Sequence, residues 1–377
     1  MTQNNLGSAY SNRLRGERAE NLEKAITAYE LALQVYTRGA FPEDWAMAQN
    51  NLGIALRHRI RGEQAENLER AIATKELALQ VYTREELPER WAMTQNSLGL
   101  AYSQRLQGER AENLERAIAA FDLALQVYTR QDFLEQWAGT QSNLAGTLIQ
   151  RAALKESWID LDTAIDLLQS ALEVSDSNSF SFISVQYFLG NALSRRYEHS
   201  KSPRDLQQSL QAYKIALDNI SLEHYDRDQL WQALPTTQSI LGSRLVRDGQ
   251  WQEGLQLLLN SVNQLSRGDN PLAHANALFQ TGRAHETLSD WDNARLYYRD
   301  ALRLYEYLQD RLGTAQSRAG LGSVLVSQGY LEKGIAELAK ARESYHLLEQ
   351  LDKVAEVDDI YQATQKAIEK QAIEAYV

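Results

Sequence analysis

The chain has 377 residues, of which 44% are hydrophobic and 24% are charged, so it is long enough for two globular domains or for one extended array of repeats. Its formal net charge of −11 excludes a general phosphate-binding surface, because sequence-independent affinity for nucleic acids comes from summed Lys and Arg contacts. The lack of cysteine excludes disulfides, thiolate nucleophiles and thiolate metal ligands. No signal-peptide core opens the chain and no apolar run approaches the roughly 18 residues of a membrane span, which predicts a cytoplasmic protein without a membrane partner.

Three near-identical segments follow one another along the first part of the chain. Trp45, Trp91 and Trp137 are 46 residues apart, and NLEKAITAYELALQVYTR, NLERAIATKELALQVYTR and NLERAIAAFDLALQVYTR lie in register with them. A period of 20 to 50 residues is typical of a repeat architecture. More degenerate copies of the Leu-Gly step continue to the other end, and they bring the count to eight repeats, with steps at Leu6, Leu52, Leu98, Leu144, Leu189, Leu241, Thr281 and Leu321.

Each repeat carries two helical patterns. In repeat 1 the second pattern places Leu22, Ala25, Ile26 and Tyr29 on one helix face. The first helices of repeats 2 and 3 begin at a proline, which suits the first helical position. An Asn or Asp side chain can accept a hydrogen bond from a free amide of the first turn. The residues predicted to cap the second helices in this way are Asn21, Asn67, Asn113, Asp160, Asp205 and Asp290.

The order of small and aromatic residues resembles the tetratricopeptide repeat. Gly282, Ala294, Tyr298 and Ala301 keep the spacing of that family, whereas repeats 1 to 5 insert six or seven residues, with a glycine in the middle of the insertion in repeats 1 to 3. We interpret the insertion as an extended first helix followed by a longer turn. The long repeats are similar to those of cyanobacterial tandem-repeat proteins, which often accompany caspase-like effector domains. The Asn-Asn-Leu-Gly step is similar to that of kinesin light chains.

The resemblance implies an all-α protein. We expect a right-handed superhelical solenoid of about eight helix-turn-helix repeats with a C-terminal capping helix. Five long repeats are expected over residues 1–220, three shorter ones over 221–350, and the capping helix over 351–377.

Residues that could carry out chemistry are scattered. The six histidines lie in six different stretches without metal-ligand spacing. No glycine-rich phosphate loop and no nucleophile elbow is present, and the acidic residues are typical of solvated helix faces. We therefore predict a protein that is not an enzyme and that binds no cofactor and no metal.

The resemblance also implies a binding groove, because the first helices of successive repeats line the concave face in this family. The predicted groove residues are Asn4, Asn50, Arg57, His58, Asn96, Gln104, Tyr187, Arg195, Arg247, Phe279 and Arg283. The recurring asparagines resemble the asparagine ladder of the kinesin light chain groove, where carboxamides can bind the backbone of an extended peptide. Simple copying of a duplicated repeat explains them equally well.

Two rows of arginines recur in the predicted first helices. Arg57, Arg195, Arg247 and Arg283 favour a partner segment with Asp, Glu or a C-terminal carboxylate, although salt bridges at helix ends would account for them too. We interpret the second row as structural, with cations that complement the helix dipole and reach Glu20, Glu66 or Glu112. This second row consists of Arg13, Arg59, Arg105, Arg151 and Arg196.

Lys75 departs from the repeat pattern. It stands at the position of Tyr29 and Phe121 in the neighbouring repeats. We interpret it as a lysine whose stem packs against the core and whose amine reaches solvent, with a buried functional amine as the alternative.

The sequence thus favours an interaction scaffold that binds an extended, acidic segment of a protein or peptide in the concave groove. One alternative is a regulatory or sensor module of a larger effector system, such as a caspase-like protease or a signalling protein. Another is a structural protein that assembles with copies of itself.

Overall fold

A computed structural model describes residues 2–13, 15–176, 180–219, 227–268 and 270–374. Over these residues the chain forms 17 α-helices and no strand, which confirms the all-α prediction. Four of the five prolines, Pro42, Pro88, Pro203 and Pro271, are the first residues of helices, where the missing amide costs nothing. Contacts divide the chain into two compact parts, residues 1–200 and residues 201–377. The predicted boundary between residues 220 and 221 falls at positions outside the described ranges, and it stays a prediction.

The N-terminal part, residues 1–200, contains nine helices within its described residues. First and second helices alternate, and each second helix packs against the first helix of its own repeat and against the first helix of the next. This is the helix-pair packing that the period predicts. The helices are α1 (Thr2–Ser11), α2 (Arg18–Val35), α3 (Pro42–Arg57), α4 (Gln64–Ala78), α5 (Pro88–Gln104), α6 (Arg110–Leu125), α7 (Leu134–Lys155), α8 (Trp158–Leu172) and α9 (Phe180–Ser200).

The core of the N-terminal part lies between successive helix pairs. Ile26 and Tyr29 of α2 pack with Leu52 and Leu56 of α3, and all four side chains are buried. Small residues let the paired helices approach closely. At Gly99 an added Cβ would lie only 2.7 Å from the ring of Phe121, so only a glycine lets that ring cross over α5.

The N-cap prediction is wrong for Asn21, Asn67 and Asn113, because the second helices begin four residues earlier than expected. The N-cap positions belong to Glu17, Glu63 and Glu109. The asparagines lie inside the helices, and the Nδ2 of each donates to a carbonyl oxygen of the preceding loop at 2.8–3.0 Å. They brace the inserted loop against the helix that follows it.

The inserted residues lie mostly in loops. In repeats 2 and 3 the first helices have 16 and 17 residues, no more than the 17 of the corresponding helix in repeat 7. There the prediction of an extended first helix is wrong, since the extra residues form a loop whose Gly62 or Gly108 has a positive φ, +78° or +75°. In α7 and α9 the first helix does lengthen, to 22 and 21 residues.

The C-terminal part, residues 201–377, contains eight helices within its described residues. Three helix pairs follow α10, and α17 packs against α16, where Val357 lies beside Leu338 and Tyr345. Asp290 caps α14 as predicted, since its side chain accepts from the backbone amide of Asn293. The helices are α10 (Pro203–Asn219), α11 (Arg227–Arg247), α12 (Trp251–Leu265), α13 (Pro271–Thr287), α14 (Trp291–Tyr307), α15 (Arg311–Ser327), α16 (Leu331–Leu347) and α17 (Leu351–Glu374).

Candidate functional site

The first helices of the N-terminal part lie side by side, each in contact with the next, and we call the surface they form the A-helix face (α1, α3, α5, α7 and α9). Eight of the eleven predicted groove residues belong to these helices or directly follow one. Asn4 and Asn50 are buried, and Arg57, Asn96 and Tyr187 are half-buried. The exposed members are His58, Gln104 and Arg195.

The recurring asparagines make hydrogen bonds inside the protein. Asn4 Oδ1 accepts from Asn51 Nδ2 at 3.4 Å, and Asn96 Oδ1 accepts from Asn143 Nδ2 at 3.1 Å, so these carboxamides tie neighbouring first helices together. Asn4 and Asn50 are only 2% and 1% exposed, which leaves a peptide no access to them. Of the three asparagines, only Asn96 can contribute to a surface site.

Arg57, His58 and Gln104 meet where α3 and α5 end, and we call them the Arg57 cluster. Arg57 Nη1 donates to Gln104 Oε1 at 3.5 Å, and Arg57 Nη2 donates to His58 Nε2 at 2.6 Å. The surrounding protein partly desolvates the imidazole, and the positive charges of Arg57, Arg18 and Lys75 add to this effect, so the pKa of His58 falls to about 4. His58 is therefore neutral near pH 7, and it can accept from the guanidinium because arginine only donates.

Lys75 is fully buried, and the interpretation that its amine reaches solvent is wrong. Its Nζ donates to Oδ1 of Asn50 at 3.1 Å and to the backbone oxygen of Asn50 at 3.3 Å. Burial, and secondarily the charge of Arg57, lower the pKa of the Lys75 amine to about 7. The lysine stem crosses α3 at Gly53, so the amine ends inside the helix pair, beneath the A-helix face.

The second arginine row is structural over repeats 2 to 4. Arg59 makes a two-pronged ion pair with Glu23 at 2.8 Å, and Arg105 makes the same pair with Glu69. Arg151 bridges Asp160 and Glu115. The predicted glutamate partners are wrong, however. Those that pair lie one turn further along the second helices, at Glu23, Glu69 and Glu115. Glu20 and Glu112 instead pair with a lysine or an arginine within their own helices.

The three remaining predicted residues lie in the C-terminal part. Arg247 and Arg283 are exposed, whereas Phe279 is half-buried and its ring packs 5.6 Å from that of Tyr298. The Tyr298 hydroxyl donates to Glu286, and Ser323 Oγ donates to the same carboxylate at 3.0 Å. Burial, followed by the charge of Glu286, raises the pKa of Tyr298.

Within the described ranges, no group of three or more His, Asp or Glu side chains is arranged to hold a metal ion. Over the same residues, no helix has the length and the apolar character required to cross a bilayer.

Helix pairs that pack in series, with a glycine where the paired helices come closest, define an α-helical repeat protein. Residues 45–81 and residues 233–306 each match a family described as the tetratricopeptide repeat. These two segments carry tetratricopeptide repeats, as the sequence predicts. No curated protein matches it significantly.

Two solved structures share the fold over nearly the whole chain. The apo form of RapI is 14% identical, and 98% of this chain and 97% of that chain are covered at a TM-score of 0.50. The apo form of the quorum sensor NprR from B. thuringiensis is 14% identical, with 96% and 97% covered at a TM-score of 0.50. A putative kinesin light chain repeat protein from Podosopora anserina is 16% identical, and 60% of this chain and 99% of that chain are covered at a TM-score of 0.39.

Proposed function

We propose that the chain is a protein-binding module whose A-helix face takes an extended, acidic peptide segment of a partner protein. The observation that carries the proposal is the Arg57 cluster, in which the neutral His58 and Gln104 hold one guanidinium in place on the A-helix face of a chain with a net charge of −11. Arg18 adds a second positive charge nearby, since it also acts on His58. A local positive region in an acidic protein favours a carboxylate-bearing partner and disfavours a basic one.

The arrangement suits a carboxylate for a second reason. A guanidinium binds a carboxylate with two parallel hydrogen bonds when its plane is held in place, and the neutral His58 and the amide oxygen of Gln104 hold that of Arg57. Arg195, exposed on α9, supplies a second cation on the same face. Arg247, Phe279 and Arg283 stay predicted binding residues of the C-terminal part. The regulatory-module and self-assembly alternatives also stay predictions.

The test measures the fluorescence anisotropy of a labelled decapeptide of alternating Asp and Gly in near-physiological salt. Arg57→Gln and Arg195→Gln are each expected to weaken binding about tenfold, since a hydrogen bond to a charged group contributes on the order of 1.5–3 kcal/mol. Arg70→Gln is the matched control. Arg70 lies on the second helix α4 and pairs with Glu30, so this variant removes one positive charge without altering the A-helix face.

A decapeptide of alternating Lys and Gly has the opposite charge and the same spacing. It should not bind, because the proposed site is cationic. The proposal is overturned if Arg57→Gln and Arg195→Gln bind the Asp peptide as the unaltered chain does. It is equally overturned if the Arg70→Gln control loses as much affinity as they do, because attraction would then be spread over the whole surface.

A further inference from the structure

A cleft of about 420 Å³ opens between the N-terminal halves of α5 and α7, on the A-helix face. This volume lies within the range of ligand-binding pockets in proteins. Among the residues that line the cleft are Met93, Asn96, Tyr128, Gly139, Thr140 and Asn143. Of these six residues, Asn96 is a predicted groove residue and the other five are not.

Gly139 makes room for the cleft. In the 46-residue period it stands where repeats 2 and 3 carry Met47 and Met93. A Cβ added at Gly139 would meet no atom within 4 Å, so no neighbouring side chain requires a glycine there. A glycine inside a helix costs roughly 0.5–1 kcal/mol relative to alanine. Repeat 4 thus lacks a long apolar side chain at a position where packing would tolerate one, and the space stays open.

The walls of the cleft combine apolar and amide groups with the charged side chains of Glu89 and Arg90. Met93 is 40% exposed and offers a flexible thioether surface, which adapts well to an apolar ligand. Asn143 Nδ2 donates to Asn96 Oδ1 at 3.1 Å. Each carboxamide has two N–H donors and one acceptor oxygen, so this hydrogen bond uses only one N–H of Asn143 and one lone pair of Asn96. An apolar wall beside paired amides suits a peptide that inserts one apolar side chain and lays its backbone over the amides.

We propose that the α5–α7 cleft is an anchor subsite that takes one unbranched apolar side chain, such as that of methionine, from the bound peptide. The inference rests on the proposed function, since it assigns a place within the same face. Repeats 2 and 3 carry a methionine at the position of Gly139. In repeat 4 the partner's side chain fills the space that this methionine would occupy. Asn96 and Asn143 bind the backbone that flanks it.

The experiment uses the full chain with ¹³C-methyl-labelled methionine. The chain has three methionines, Met1, Met47 and Met93, so the spectrum is simple. Met93 reports on the cleft, and Met47, at the same position one repeat earlier, is a reference in the same sample. Three probes are titrated: Ac-Asp-Gly-Met-Gly-Asp-NH2, the same peptide with Ala in place of Met, and N-acetylmethionine amide, which has no acidic group.

We expect both methionine probes to shift the Met93 methyl signal and the alanine peptide to leave it unchanged. Gly139→Met fills the cleft with the methionine that repeats 2 and 3 carry at this position. It should weaken binding of the methionine peptide at least tenfold and leave the affinity for the alanine peptide unchanged. Gly139→Ala is the matched control, because it removes the glycine without filling the space, and it should bind as the unaltered chain does.

Two outcomes separate this inference from the proposed function. Suppose that the acidic peptides bind but the methionine probes do not shift the Met93 methyl signal, or that Gly139→Met binds the methionine peptide as tightly as Gly139→Ala does. In either case the anchor subsite is wrong and the proposal that the A-helix face binds an acidic peptide stands. If N-acetylmethionine amide shifts Met93 but neither acidic peptide binds more tightly than it does, the subsite stands and the acidic preference is wrong. Because the Met93 shift in the unaltered chain needs no variant, the test holds even if Gly139→Met fails to fold.

Discussion

Nζ of Lys75 lies 3.1 Å from Oδ1 of Asn50, and both side chains are buried in the N-terminal part. Thr94 Oγ1 lies 3.4 Å from the same Asn50 oxygen and donates to the backbone oxygen of Arg90 at 2.8 Å. Three polar side chains from α3, α4 and α5 therefore meet where the neighbouring repeats place an aromatic ring. A buried amine bonded to an amide instead of a carboxylate is costly when it is protonated. The lysine therefore weakens repeat 2.

Replacing Lys75 with Phe should stabilise the chain by about 1–3 kcal/mol, because the change removes a buried ionisable group and installs the residue of repeat 3. Phe121 is fully buried over Gly99, and Gly53 offers the corresponding place in repeat 2. Urea denaturation measures the free energy of unfolding. Lys75→Met, which removes the charge and keeps an unbranched stem, separates loss of charge from aromatic packing. An unchanged or lower stability of both variants would contradict the account.

The stability of the unaltered chain should rise with pH above neutrality. Lys75 has a pKa of about 7 in the fold, compared with about 10.4 in an unfolded chain, so between these values the unfolded chain binds more protons. Stability then increases with pH, by up to about 3 kcal/mol between pH 7 and 9.5, whereas below pH 7 both states are protonated and the cost is constant. Urea titrations from pH 6.5 to 9.5 should show the gap between Lys75→Met and the unaltered chain narrowing. A constant gap would show that the amine does not titrate there.

Glu23→Gln should cost about 1 kcal/mol, because the two-pronged pair with Arg59 is half-buried. Glu20→Gln, the control, breaks the exposed pair with Lys24 and should lower the stability much less, because solvent screens that pair. Hydrogen bonds from Arg59 lower the pKa of Glu23. The stability from Glu23 is therefore present above the unfolded pKa of about 4.3 and is lost as the pH falls through the lower folded value. Equal losses of unfolding free energy in Glu23→Gln and Glu20→Gln near neutral pH would contradict this prediction.

Gly99 and Gly139, both inside first helices, should respond to alanine with opposite signs. Gly99→Ala places a Cβ 2.7 Å from the Phe121 ring and should destabilise by about 1–3 kcal/mol. Gly139→Ala meets no atom within 4 Å and should stabilise by roughly 0.5–1 kcal/mol through helix propensity. Thermal unfolding of the two variants under the same conditions compares them directly. A loss of stability in Gly139→Ala would mean that the α5–α7 cleft has no room for the added methyl group.

His58 should titrate near pH 4, because its surroundings and three cationic groups disfavour the imidazolium. Two-dimensional ¹⁵N–¹H NMR of the imidazoles measures the midpoint, and it should also show the tautomer protonated on Nδ1, since Nε2 accepts from Arg57. Arg57→Gln removes one cation and should raise the midpoint. A midpoint near 6.5 in the unaltered chain would show that the Arg57 cluster does not form.

The helix pairs were predictable because their signals recur. The tryptophan spacing gives the period, and the prolines that begin α3 and α5 give the starts of first helices. The starts of second helices were harder to predict. Asn67 is chemically suited to an N-cap, but the residues before it, Ala65 and Glu66, also form helix readily, and the helix begins at Gln64. Local preference could not decide between these two starts.

The candidate site was less predictable than the fold. Position in the repeat placed Asn4, Asn50 and Asn96 on the same face, but which of them a neighbouring helix covers depends on packing between repeats. The fate of the Lys75 amine also depended on a tertiary partner, Asn50, which lies 25 residues away in the sequence. The α5–α7 cleft did have a sequence signal, the change from Met47 and Met93 to Gly139, but only the structure shows that no other side chain fills the space.

The ion pairs between Glu23 and Arg59 and between Glu69 and Arg105 each join a second helix to the residue 36 positions further along the chain. Every interior copy of the 46-residue repeat therefore carries both members of this ion pair. Its glutamate pairs with the arginine of the following repeat, and its arginine pairs with the glutamate of the preceding repeat. If one copy were removed or added by recombination within the duplicated stretch, each new junction would still join a matching glutamate and arginine. An array with such interchangeable joints can change the length of its binding face in a single genetic step, without any interface having to be redesigned.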